Sequence, residues 1–252
     1  MRSVENPALM DAVFRPEDVP GDVLVAVSVR GTAPPQTSSP TAFLARQFAD
    51  SLGYPGLPIV RATQVHGSRV VVVARAPAPR EVADAGECDA LVTALPGVGL
   101  AVQTADCVPV ILLAPDAVGI VHAGWRGAAA GVARTAVEAF LSQTGDRDSV
   151  RTWLGPAIGP CCYEVGPEVA GRFAPRFARP SNGDRFLLDL PAAVRQQLEE
   201  AGIPPERIMQ PPGCTMCGGE RYASYRRDGE RAGRMIALVA RLDPASDLPA
   251  RN

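Results

Sequence analysis

Gly99-Leu-Ala-Val-Gln-Thr104-Ala-Asp-Cys107-Val-Pro-Val-Ile-Leu-Leu113-Ala-Pro-Asp-Ala-Val118-Gly-Ile-Val-His122-Ala-Gly-Trp-Arg126-Gly127 is the stretch that decides the fold. Apolar runs at Gly99–Thr104, Val108–Leu113 and Val118–His122 have the length of strands and are bounded by turn residues. The turn Ala114-Pro115-Asp116-Ala117 separates the last two. An antiparallel hairpin about that turn would bring Cys107 and His122, fifteen positions apart, beside each other.

Upstream, the chain continues as short strands near Ile59–Gln64, Arg69–Ala74 and Ala90–Thr93. Earlier still, Asp22–Arg30 alternates in β fashion, and Ser39-Pro40 can cap a helix that runs to about Leu52. Downstream, Gly127–Gln143 has the clearest helical period, with Val132, Ala136, Val137, Phe140 and Leu141 in register. Val150–Gly155 reads as a strand. Helices at Pro167–Phe177 and Pro191–Ala201 flank a strand at Arg185–Leu190, and strands follow near Arg207–Gln210 and Tyr222–Arg226. Gly233–Leu242 fits helix or strand equally. Residues 1–20 read as an N-terminal arm, 21–243 as a single catalytic domain and 244–252 as a flexible tail. The expected class is α+β with a β-rich middle.

Composition narrows the function. The chain has 252 residues, 46% hydrophobic and 21% charged, with net charge −2 and a pI near 5.8. That balance offers no electrostatic footprint for nucleic acid or an anionic membrane. No apolar run has the length of a membrane span, and the N-terminus lacks a secretory signal, so the cytoplasm is the expected compartment. All 25 basic residues are arginine, which excludes lysine Schiff-base chemistry and a P-loop lysine. The six cysteines read as thiols or metal ligands rather than a disulfide framework. Cys214-Thr-Met-Cys217 has zinc-knuckle spacing. Without a second CxxC, however, reduced thiols are the preferred reading there and at Cys161-Cys162.

The chain spends only two histidines, and both stand in glycine-punctuated motifs: Thr63-Gln64-Val65-His66-Gly67 and His122-Ala-Gly-Trp-Arg126-Gly127. With Cys107 they make a three-ligand set with one position open, the pattern of a catalytic zinc. The alternative is a buried thiol and two hydrogen-bonded histidines; the repeated glycine flanking and the intervening Asp-Cys favour the metal. Arg126 lies at the start of the best helix, where exposed N–H groups and a guanidinium suit a phosphate or carboxylate. Arg226 and Arg227, read as strand residues, would face opposite sides, so that one could enter the site while the other is solvated; a surface salt-bridge strip fits the composition equally well. Asp106 and Glu164 are the candidates for acid–base work, since no spare histidine exists.

Several of these motifs occur together and in order: Gln64-Val-His66-Gly67, Asp89-Ala-Leu, Thr104-Ala-Asp106-Cys107-Val-Pro and His122-Ala-Gly-Trp-Arg126-Gly127. Gly155-Pro-Ala-Ile-Gly-Pro-Cys-Cys-Tyr-Glu-Val-Gly166, Cys214-Thr215 and Ser224-Tyr-Arg226-Arg-Asp228 with Gly233-Arg234 follow. In this the chain resembles the YfiH-type purine nucleoside phosphorylase family, formerly grouped as polyphenol oxidoreductase "laccase" proteins, from about residue 59 to 240. The resemblance implies a mixed β-sheet sandwich with flanking helices, similar to the catalytic domain of cytotoxic necrotizing toxins. It implies zinc, with copper as second choice, on His66, Cys107 and His122. The family's Arg-Gly-Gly-Val-Ser stretch is reduced here to Ser28-Val29-Arg30-Gly31, with Arg30 in the arginine position.

The implied reaction is phosphorolysis of adenosine, inosine, guanosine and 5′-methylthioadenosine, with adenosine deamination as a side activity. Arg30, Arg126 and one of Arg226 and Arg227 would hold phosphate, Gln64 would add a substrate contact, and Cys107, His122, Asp106 and Glu164 would be the catalytic set. The partners are then nucleoside and phosphate, with neither nucleic acid nor membrane, for a monomer or homodimer. One competing reading is a Cys/His hydrolase with Cys107 as nucleophile and His122 as base. Another is a non-enzymatic zinc-binding protein linked to cell-envelope synthesis. A multicopper oxidase fails by counting, because one blue-copper site would consume both histidines.

Overall fold

Strands such as Val108–Leu113 and Val118–Ala123 are buried at every residue, which a sheet with one wet face cannot achieve. The computed structural model, which describes residues 22–28, 41–209 and 213–243 and the backbone of 13–14, shows two sheets face to face with helices outside each. Successive residues therefore enter different cores. Ile111 and Leu113 pack between the sheets with Val25, Leu100 and Val239. Val110 and Leu112 point the other way, against Val137, Phe140 and Val194 of the outer helices. On the opposite flank Leu24, Ala101 and Leu238 meet Leu44 and Phe48 of the helix Thr41–Ser51.

The first sheet orders its strands Val13–Phe14, Val23–Ser28, Met235–Arg241, Val98–Thr104, Ile59–Thr63 and Val82–Glu87. The second orders Ile208–Met209, Arg151–Leu154, Val108–Leu113, Val118–Ala123, Ala90–Thr93 and Val70–Val72. Each mixes parallel and antiparallel neighbours. A small third sheet joins Glu164–Val165, Phe186–Leu188 and Ala178–Pro180. The expected α+β sandwich with flanking helices is the observed architecture. The hairpin is antiparallel, pairing Val108 with Ala123 and Pro109 with His122, so Cys107 leaves the sheet one residue before the first pair.

Several expectations are corrected. The single helix expected at Gly127–Gln143 is two, Trp125–Ala129 and Val132–Leu141, because Gly131 takes a φ of +81° that a helix cannot carry. Pro167–Phe177 is helical only over Pro167–Ala170, with a 3₁₀ turn at Pro175–Phe177. Tyr222–Arg226 is not a strand: Ser224 accepts a hydrogen bond from the Arg227 N–H and caps a short helix, Tyr225–Asp228. Gly233–Leu242 resolves as the strand Met235–Arg241, central in the first sheet. Val82–Glu87 was not expected as a strand; its sequence, VADAGE, carries little β signal. Within the expected N-terminal arm, Val13–Phe14 pairs with Val27 and Ser28. The rest of that arm, Arg30 and the tail lie outside the described residues. Among the described residues no helix is long and apolar enough to cross a membrane.

Candidate active site

Three segments leave sheet edges and meet. His66 follows the strand Ile59–Thr63, Cys107 stands between Val98–Thr104 and Val108–Leu113, and His122 sits near the end of Val118–Ala123. Their ligating atoms all lie within 4.8 Å of one another, and the two imidazoles meet edge to face with centroids 4.8 Å apart. His66 has φ +58° and Asp106, beside Cys107, φ +88°, both in the left-handed region that costs a non-glycine residue energy. The loops are thus held out of their resting geometry to bring the ligands together.

Asp89 does much of the holding. It is fully buried at the start of Ala90–Thr93. Its Oδ1 lies 2.8 Å from His122 Nδ1 and accepts the His66 N–H at 3.0 Å. Its Oδ2 accepts the N–H groups of Gly67 at 2.7 Å and Val65 at 3.3 Å. One carboxylate therefore fixes the His122 tautomer, leaving Nε2 for the site, and shapes the loop that carries His66. Burial opposes ionisation of Asp89, but the His122 hydrogen bond and the loop N–H groups hold its carboxyl below the usual range. Gly124 leaves the room: a Cβ there would sit 2.8 Å from His66 Cδ2 and 3.1 Å from Cys107 Sγ.

This donor set fits a metal ion. Two imidazoles and a thiolate converge, one imidazole is oriented by a buried carboxylate, and all three line one cavity. The electrostatics agree. Burial would raise the Cys107 thiol, yet hydrogen bonds and charge from His122 and His66 bring it down to about 6. Burial likewise disfavours protonated His122, but Asp89 and the Cys107 sulfur raise it to about 9. The site is built to keep sulfur as thiolate.

The cavity holds about 470 Å³. His66, Cys107 and His122 line it together with Arg126, Arg226 and Arg234 and the rings of Trp125, Tyr163 and Tyr225. The Arg126 guanidinium lies 4.4 Å over the Trp125 ring and, among the described residues, forms no ion pair. Arg226 stacks 4.9 Å over Tyr163 and donates to the Glu164 carbonyl. Burial pushes the Tyr163 hydroxyl up to about 12. Three guanidiniums and a metal donor set thus share one pocket.

The sequence-predicted residues divide clearly. Asp106 lines the cavity, but its oxygens are taken by the Thr215 hydroxyl at 2.5 Å and the Arg226 N–H at 2.6 Å, so it fixes the Arg226 turn. Gln64 also lines it, with both ends of its amide on the Gln103 backbone at 2.8 Å. Glu164 stands apart from the cavity: on a two-residue strand its carboxylate is exposed and accepts from Ser181, and only its carbonyl turns toward Arg226. Arg227 also lies outside the cavity lining, its guanidinium spread over the carbonyls of Thr215, Gly219 and Tyr222 and paired with Asp228. Asp89 and Arg234 were visible only as parts of motifs. A carboxylate before a strand and an arginine before a strand carry no pattern that says which face they take.

Residues 43–242 match a family described as multi-copper polyphenol oxidoreductase laccase. A Geobacillus stearothermophilus protein named purine nucleoside phosphorylase YlmD is 36% identical over 212 residues, 78% of this chain and 77% of that one. A protein named adenosine deaminase, from an unknown prokaryotic organism, is 36% identical over 163 residues, 61% of this chain and 62% of its own. The crystal structure of a Bacillus licheniformis protein named YfiH superposes with a TM-score of 0.80 at 27% identity, covering 92% of this chain and 97% of that one.

Proposed function

The chain belongs to the YfiH-type family, described as multi-copper polyphenol oxidoreductase laccase, and we propose that it is a zinc-dependent purine nucleoside phosphorylase. One observation carries this: His66, Cys107 and His122 open on the same cavity as Arg126, Arg226 and Arg234. The substrates are adenosine, inosine, guanosine and 5′-methylthioadenosine, and the products are free base and ribose 1-phosphate or its methylthio analogue. Slow deamination of adenosine accompanies it, in line with the relative named adenosine deaminase. The enzyme works in the cytoplasm as a monomer or homodimer, without nucleic acid or membrane.

His66 and His122 nitrogens and the Cys107 sulfur would hold the zinc, which when bound supplies Lewis-acid polarisation of a substrate group. Everything else falls to the chain. Phosphorolysis breaks the bond from the anomeric carbon to the base nitrogen and forms one from that carbon to a phosphate oxygen, through a state with oxocarbenium character. Arg126, Arg226 and Arg234 bind and orient the phosphate so that its oxygen faces the anomeric carbon. Their positive charge also opposes loss of the anion as negative charge shifts from nucleophile to leaving base. Trp125, Tyr163 and Tyr225 offer flat apolar surface for a purine. Asp106 keeps Arg226 in place through its backbone N–H.

Incubation of metal-quantified protein with each nucleoside, with and without phosphate, and chromatography of the products tests this. Base release that requires phosphate and scales with zinc content is the expected result; release of free ribose, or none from zinc-replete protein, would overturn it. The paired Cys107 thiolate and His122 also favour a Cys/His hydrolase in a metal-free site. That reading predicts activity that survives chelation and dies on alkylation of Cys107.

A further inference from the structure

The remaining cysteines are not scattered. The loop at 155–162 brings Cys161 and Cys162 against the turn that carries Cys214 and Cys217. Cys217 Sγ lies 3.3 Å from the Cys161 sulfur and 3.1 Å from that of Cys162. All four sulfurs fall within 4.8 Å of one another. A tetrahedron of thiolates with zinc–sulfur bonds near 2.3 Å has edges of about 3.8 Å, within the spread seen here.

The backbone builds the seat. Ala157 and Cys214 form a parallel bridge, with the Thr215 N–H donating to the Ala157 carbonyl at 2.9 Å. The CxxC turn closes through Gly218 N–H to the Cys214 carbonyl at 2.8 Å, while Cys162 N–H closes its own turn on Gly159 at 3.0 Å. N–H groups of Cys217, Gly159 and Met216 point at the Cys214 sulfur, the arrangement that suits a thiolate ligand. Gly159 allows the approach, since a Cβ there would lie 3.3 Å from Cys214 Cβ and 3.5 Å from Cys161 Sγ. A disulfide would use two of the four sulfurs and leave the others crowded against it, and a bond between neighbours Cys161 and Cys162 would be strained. One ion at the centre satisfies all four.

We infer that Cys161, Cys162, Cys214 and Cys217 bind a second zinc ion in a closed four-thiolate site. Binding forms four zinc–sulfur bonds and releases the thiol protons to solvent, with no change in oxidation state. Having no open position, the site is structural. It clamps two loops that converge on Asp106: the Ile158 N–H donates to the Asp106 carbonyl at 2.9 Å, and Thr215 holds its carboxylate. The second ion thereby secures the side of the cavity that carries Tyr163 and Arg226.

Zinc-loaded, dialysed full-length protein is weighed by native mass spectrometry and its metal counted by elemental analysis. Two zinc ions per chain are expected, one in Cys107→Ser, one in Cys217→Ser and none in the double variant. Cobalt(II) loaded into Cys107→Ser should show the intense charge-transfer bands of a four-thiolate site, which decides the matter even if Cys217→Ser does not fold. A single zinc that vanishes with Cys107→Ser, no thiolate bands in that variant, or a disulfide among these cysteines in the freshly purified chain would overturn the inference. None of these outcomes depends on nucleoside turnover.

Discussion

Asp89→Asn is the sharpest perturbation the site offers, because the side chain keeps its size and loses only charge and half its acceptors. The carboxylate accepts four contacts, from His122 Nδ1 and from the N–H groups of Val65, His66 and Gly67. An asparagine oxygen can serve either the His122 and His66 pair or the Gly67 and Val65 pair. In each orientation its NH₂ faces two other N–H groups in a fully buried place. Two charge-assisted hydrogen bonds at about 1.5–3 kcal/mol each give a loss of roughly 3–6 kcal/mol in folding stability. For a chain this long that is about 10 °C or more in Tm. Zinc affinity should fall by about 10- to 100-fold, as when the outer partner of a ligating histidine is lost. The assays are thermal unfolding of the metal-free protein and zinc competition against a chromogenic chelator, with turnover followed as zinc is titrated. Activity should return at high zinc as far as occupancy returns. A variant with wild-type Tm and zinc affinity within threefold of wild type would refute the reasoning, since Asp89 would then neither orient His122 nor shape the His66 loop.

Arg126→Ala should raise the KM for phosphate by about 10-fold or more, as expected for one lost charged contact, and move the nucleoside KM little; an unchanged phosphate KM would remove Arg126 from the anion site. In metal-stripped protein the Cys107 thiolate forms as pH rises through about 6, so its alkylation rate should reach half its plateau there rather than near the ordinary thiol value of 9.0. Alkylation that still climbs steeply above pH 8 would contradict the thiolate–histidine pairing. Gly124→Ala places a methyl against His66 and Cys107 and should abolish metal binding at this site while the fold persists; full metal content and turnover would show that the loops yield. Glu164→Gln should leave turnover within about twofold, as for a surface substitution, and a dead enzyme would return Glu164 to the chemistry.

The hairpin and the convergence of His66, Cys107 and His122 were legible because the chain uses so few histidines and because turn chemistry sets the register of Val108–Leu113 on Val118–Ala123. The layering was not, since a strand buried on both faces shows no alternation, and Met235–Arg241 could not be told from a helix by periodicity. Arg226 and Arg227 sit on a helical turn rather than a strand, and the Ser224 cap that starts it is a signal present in the sequence. The direction of the Glu164 carboxylate was not legible, because on a two-residue strand it depends on the partner strand. The four clustered cysteines stayed hidden because their convergence is a long-range fact, 56 residues separating Cys161 from Cys217.

The place of Met235–Arg241 bears on how the molecule is made. It lies between Val23–Ser28 and Val98–Thr104, and the Ile236 N–H reaches the Ser28 hydroxyl across 208 residues of chain. During synthesis the hairpin with Cys107 and His122 emerges early and can pair locally. The first sheet has to wait, because the strand that joins its halves leaves the ribosome after all the others described. Until then Val98–Thr104, which leads into Asp106 and Cys107, has Ile59–Thr63 on one side and an unpaired edge on the other. Nascent chains therefore spend most of translation with an unfinished sheet edge, and closures of such long range are slow. A strand made late thus fixes the neighbour of the one that leads into Cys107.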